Sequence, residues 1–126
     1  MKVFGSIITV NTNSKILVRY DKDGLHLPKV EVGETMTIKG HLISTLLSLG
    51  ITDVVESDLN LYNMEDEVDK DGHILYNTYI TRTKSTELDS GINYKYMSLS
   101  ELKNNLTKFA NKFDAFVLRL FIINPY

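Results

Sequence analysis

The chain has 126 residues, 43% hydrophobic and 24% charged, a composition that suits one globular domain over 1–126 and excludes disordered and collagen-like classes. It contains no cysteine, which rules out disulfides, thiolate nucleophiles and cysteine-ligated metals within it. A formal charge of −2 supplies no long-range field for nucleic acid or an anionic membrane, so neither is expected as a partner.

Residues 1–10 hold one lysine and an apolar run too short for an export signal. The apolar stretch 115–123 is interrupted by Arg119 and reaches about half a bilayer span, so no membrane segment is expected. A reducing, cytoplasmic location fits these features.

Val and Ile enrich 2–10 and 15–20, and the polar cluster 11–14 between them is turn chemistry, so a β-hairpin is expected. Gly24 closes a second turn, and a strand over 25–32 should follow. Gly33 ends it, Thr35 can cap, and a helix should occupy 36–49. Ile38, Leu42, Leu46 and Leu49 make its buried stripe, and Gly50 is placed to stop it.

Strands are expected over 51–62 and 73–82, joined by an acidic turn that ends in Asp71-Gly72. A loop over 83–91 leads to a strand over 92–97, with Tyr94 and Tyr96 on one face. Ser98 and Glu101 form a capping box for a helix to about 108, and Phe109, Phe113, Phe116, Val117 and Leu120 continue at helical spacing, so a second, apolar-faced helix should close the chain to about 122. The element order implies an α/β architecture with helices on both faces of a mixed sheet.

Segment 16–51, ILVRYDKDGLHLPKVEVGETMTIKGHLISTLLSLGI, resembles the signature region of Nudix hydrolases. Leu17-Val18-Arg19 matches the family's entry strand, Leu27-Pro28 its leucine-proline step, 29–35 its substrate-facing loop, and Gly50-Ile51 the end of its helical box. Segment 94–102 resembles the family's later strand-to-helix stretch. The resemblance implies a Nudix-like α/β/α sandwich and chemistry on diphosphate-linked nucleotides.

The departures bear on function. The paired glycines before Lys29 are missing, Ile43 and Ser44 stand where the family has Arg-Glu, and Leu47 and Ser48 stand on its Glu-Glu pair. No Asp or Glu occurs anywhere in 36–50. Magnesium needs hard oxygen ligands, and carboxylate-held metal in the resembling enzymes neutralises the diphosphate and activates water. Leu and Ser cannot replace those ligands. Hence no catalytic residue, metal or cofactor is expected; Glu31 and Glu34 form a weak alternative pair for Mg²⁺ or Mn²⁺. The competing reading is a solvated turn with Glu34 favouring the helix start.

Arg19, His26, Lys29 and Lys39 are the candidate ligand-binding residues, able to meet an anionic nucleotide or other phosphorylated small molecule if they converge. His41 reads as an edge-of-core residue. Within the acidic stretch 65–72, Glu67, Asp69, Asp71 and Gly72 take four calcium-loop offsets, but the twelfth position counted from Glu67 is Thr78, so a hydrated hairpin tip is expected. Tyr62, Tyr76, Tyr79, Tyr94 and Tyr96 fit either base stacking or sheet packing. The functional expectation is a degenerate, non-hydrolytic module that senses a ligand or contacts a protein partner or a second copy. The alternative is a divergent pyrophosphohydrolase of nucleoside-diphosphate-linked compounds.

Overall fold

The computed structural model describes residues 1–33, 35–89 and 93–125. Their strands, β1 (Lys2–Val10), β2 (Ile16–Asp21), β3 (Gly24–His26), β4 (Lys29–Glu31), β5 (Asn60–Asp69), β6 (Gly72–Arg82) and β7 (Tyr94–Met97), form a seven-stranded mixed sheet in the order β3-β2-β1-β6-β5, with β4 also pairing β1 and β7 also pairing β2. β1 (Lys2–Val10) is central and buried from Gly5 onward, because it is apolar on both faces. Ile7 points into one core with Leu17, Leu42 and Leu46; Ile8 points into the other with Val18, Leu118 and Phe121. Helices therefore cover both faces, as expected.

β2 (Ile16–Asp21) meets β1 only at Val10 and Ile16, then turns to β3 (Gly24–His26) and β7 (Tyr94–Met97). The single strand expected over 25–32 is instead two, β3 and β4 (Lys29–Glu31). Leu27-Pro28 separates them: proline has no N–H for a ladder, and its carbonyl accepts instead from the Ile7 N–H at 3.1 Å. β3 then stays with β2 while β4 crosses to β1.

α1 (Ile38–Ser48) starts two residues later than expected, because Thr37 and not Thr35 is its cap, accepting from the Gly40 N–H at 3.0 Å. Its end agrees with expectation. Gly50 takes φ +86°, which lets its N–H reach the Leu47 carbonyl and the Ile51 N–H reach that of Leu46.

The strand expected over 51–62 is a correction. Residues 51–59 are irregular, anchored by buried Ile51, Val54 and Leu59, with a 3-10 turn at Glu56–Asp58. β5 (Asn60–Asp69) runs through the acidic stretch that had read as a turn, pairing β6 (Gly72–Arg82) to its end. An edge strand leaves alternate side chains in water, so four carboxylates are tolerated there.

The two closing helices are present, but the first ends about four residues sooner than expected and the second begins only at Lys112. α2 (Leu99–Asn104) carries the Ser98–Glu101 capping box, a 3-10 turn follows at Leu106–Lys108, and α3 (Lys112–Ile123) starts afresh from an Asn111 cap. The Ala110 N–H donates to the Leu25 carbonyl at 3.1 Å, and this bond to β3 holds the connecting loop out of helix. The buried stripe of α3 is Asp114, Val117, Leu118 and Phe121, whereas Phe116 and Leu120 face outward. Residue 92 of the expected strand over 92–97 lies outside the described residues. No helix among the described residues is long and apolar enough to cross a membrane.

Candidate functional site

The loop after β4 and the start of α1 form the region where the sequence resemblance is densest. α1 packs over β1 and β4, and this is possible because residue 5 is glycine. A Cβ at Gly5 would run into Ile38 Cγ2. The helix itself, IKGHLISTLLS, carries no carboxylate. Leu47 and Ser48, aligned with the family's paired glutamates, are both exposed, and Leu47 shows 51% of its surface to solvent.

The acid at the helix start comes from elsewhere: Glu56 accepts from the Thr37 hydroxyl at 3.3 Å. That places negative charge at the positive end of the helix dipole. Glu31 is exposed at the end of β4, paired in register with Phe4. Glu34 lies outside the described residues. Among those described, no three His, Asp or Glu side chains come together as a metal site. α1 itself thus offers no carboxylate to a magnesium ion at the place the resemblance implies.

The four candidate cations do not converge. Arg19 and His26 stand opposite each other on β2 and β3, and both hold Asp21: Nη1 at 2.9 Å on one oxygen, Nε2 at 3.0 Å on the other. The His26 hydrogen bond, followed by the Asp23 N–H and Arg19, lowers the Asp21 carboxyl to about 2. Lys29, paired with Ser6, lies on the α3 side of the sheet. Its ammonium sits 2.8 and 2.7 Å from the two oxygens of Asp114. Lys39 lies over the Tyr79 ring at 5.7 Å on the α1 side. His41 lies partly buried on α1.

Asp114 is the residue that sequence reading missed. It is almost fully buried and also accepts from the Leu27 N–H at 3.1 Å, so one carboxylate ties α3 to the loop between β3 and β4. Its signal was its phase: Asp114 occupies the first position of the 114/117/118/121 stripe, where a buried acid must find a partner. Below it Ser6 and Thr78 share a buried hydroxyl bond of 2.9 Å. Thr78 is thus core, which removes the twelfth position of the calcium-like stretch. At the hairpin tip the Asp69 carboxylate accepts from the Asp71 N–H, an ordinary turn contact.

The tyrosines are engaged in packing. Tyr76 lies between Phe4, stacked at 5.2 Å, and Phe113 at 4.7 Å; Tyr62 meets Phe121 edge-on. Tyr79, Tyr94 and Tyr96 pack on the α1-side core. Open pockets formed by the described residues include two of larger volume. One of about 480 Å³ lies between β5 and α3, lined by Glu65, Lys112, Phe113, Phe116 and Arg119. One of about 540 Å³ lies at the far ends of β1 and β6, lined by Asp53, Asp58, Arg82 and Lys84. Neither is lined by Arg19, His26, Lys29, Glu31 or Lys39.

No family model and no curated protein sequence matches the chain. Solved structures do. A bifunctional NMN adenylyltransferase/ADP ribose pyrophosphatase from Francisella tularensis superposes with a TM-score of 0.74 at 17% identity, over 97% of this chain and 40% of that one. This chain therefore spans well under half the length of that protein. The E. coli dihydroneopterin triphosphate pyrophosphohydrolase superposes with a TM-score of 0.70 at 12% identity, over 97% and 95% of the two chains. The MutT protein from Methanosarcina mazei Go1 gives 0.71 at 13% identity, over 98% and 95%. The fold is Nudix-like.

Proposed function

We propose that this Nudix-like fold serves as a non-hydrolytic binding module, pseudoenzyme in character and cytoplasmic. The observation that carries the reading is an α1 helix without a single carboxylate, at the place where the resembling hydrolases hold metal. Water activation and diphosphate neutralisation both depend on that metal. Lys and His on the same helix cannot substitute, because hard cations take oxygen ligands.

Two kinds of bound partner fit such a module. A nucleotide-linked or phosphorylated small molecule accords with the substrates named for the similar folds. A protein partner accords better with the charges, since Arg19, His26 and Lys29 already face carboxylates inside the chain. The likeness to pyrophosphohydrolases favours a second reading, a divergent hydrolase using Glu31 and Glu34.

The test is turnover with Mg²⁺ and Mn²⁺ on nucleoside triphosphates, dinucleoside polyphosphates, nucleotide sugars and ADP-ribose. No turnover is the expected result. Turnover abolished by Glu31→Gln or Glu34→Gln would overturn the proposal in favour of the hydrolase.

A further inference from the structure

β5 ends the sheet, and among the described residues its outer edge pairs with no other strand. Its ten residues therefore present an outward row of backbone donors and acceptors. One of its faces is also bare. Cross-strand register puts Leu61 opposite Tyr79 and Met64 opposite Asn77, both on the α1 side, and a bulge at residue 62 brings the two into phase. Asp66 and Val68 continue that face. α1 lies chiefly over β1 and β4, and Leu61, Met64 and Val68 are 53%, 54% and 75% exposed. On the opposite face Glu65 and Glu67 alternate with them.

We propose that β5 is a docking strand for an extended basic peptide, which lengthens the sheet with apolar residues beside Met64 and Val68 and cations beside Glu65 and beside Glu67, where they replace Lys112, now 3.0 Å from that carboxylate. This gives the protein-partner form of the binding function a surface, and it rests on that form and not on the absence of hydrolysis. A strand added to an edge presents alternate residues to opposite faces, so the peptide that fits alternates Lys or Arg with Val, Ile or Leu. Charge selects the occupant. β5 carries Glu65, Asp66, Glu67 and Asp69 and no base; His73 and Lys112 meet only Asp66 and Glu67, each at 3.0 Å, so pairing with β5 of a second copy would still set acids beside acids. The same acids attract a basic strand and discriminate against an acidic one.

The probes are three labelled nine-residue peptides: alternating Lys-Val, alternating Glu-Val, and a block peptide with the lysines and valines of the first segregated. Binding is read by fluorescence polarisation and mapped by amide chemical shifts on the intact chain. The alternating basic peptide should bind at least about tenfold tighter than the block peptide, weaken with salt, and shift β5 amides first. The acidic peptide should not bind.

Glu65→Lys, at a partly exposed position, should reverse the preference towards the acidic peptide. The three wild-type titrations decide the question even if that variant misfolds. Equal binding of block and alternating peptides, shifts centred away from β5, or no binding would each overturn the proposal. So would a dimer joined through β5. A turnover-positive protein that binds the basic peptide on β5 would refute the non-hydrolytic reading and leave this one intact.

Discussion

Lys29 and Asp114 lie 85 residues apart in the chain, yet the lysine ammonium bridges both oxygens of the aspartate at 2.7 and 2.8 Å. The aspartate is almost completely buried and the lysine largely so. A pair of this kind contributes little against an apolar replacement, but either partner alone is costly because an uncompensated charge remains inside. Asp114→Ala and Lys29→Met should each lose about 3–5 kcal/mol in urea unfolding. Lys29→Met combined with Asp114→Leu should recover part of that loss. Independent, additive losses would show that the two residues are not energetically paired.

Asp21 makes a prediction in acid. Its carboxyl titrates at about 2 in the folded chain against an ordinary 3.8, chiefly because of the His26 hydrogen bond. A depressed folded value means that the stabilising contribution is complete above pH 3.8 and disappears as pH falls through about 2. Carbon-detected NMR titration should place the Asp21 midpoint near 2. His26→Ala should move it back toward 3.8, and Arg19→Gln should move it by less, since arginine is the weaker of these two causes. A larger effect from the arginine change would contradict this account.

The capping box is the most local prediction. The Ser98 hydroxyl accepts from the Glu101 N–H at 3.2 Å, and the Glu101 carboxylate accepts from the Ser98 N–H at 3.0 Å. α2 is only six residues long, so little beyond this cap and buried Leu102 holds it. Ser98→Ala should cost about 1 kcal/mol, and amide exchange in Leu99–Asn104 should accelerate more than in α3. Unchanged exchange would show that packing alone maintains the helix.

Features with a local cause were legible before the structure. Gly50 stops α1, Ser98 starts α2, and the Val- and Ile-rich run 2–10 makes a strand, because each depends on neighbouring residues only. The lack of carboxylates in α1 can likewise be read directly, since the segment is contiguous. Features that depend on distant partners were not. The acidic stretch 65–69 had the composition of a turn, and only pairing to β6 makes it strand. Lys29 read as a ligand cation because Asp114 is remote in the chain. Phe116 and Leu120 read as the apolar face of the closing helix, whereas Asp114, a charged residue, holds the first place in the true buried stripe.

Gly5 provides the sharpest test of how α1 is seated. The glycine lies in the middle of a buried β strand, where it is normally unfavourable for lack of a side chain to pack. Here the missing side chain is filled by Ile38, whose Cγ2 occupies the space that a Cβ would need, with Leu42 Cδ1 next to it. Ile38 is β-branched and stiff at χ1, so it cannot swing aside, and relief must come from moving the first turn of α1 off the sheet. Gly5→Ala should therefore cost about 1–3 kcal/mol, as overpacking does. Gly5→Ala combined with Ile38→Ala should restore part of this by vacating the same volume. Chemical shifts in the double variant should return toward wild type at Thr37–Leu42. If the alanine at 5 proves neutral while those shifts are unchanged, α1 does not rest on Gly5 in the way the contact implies.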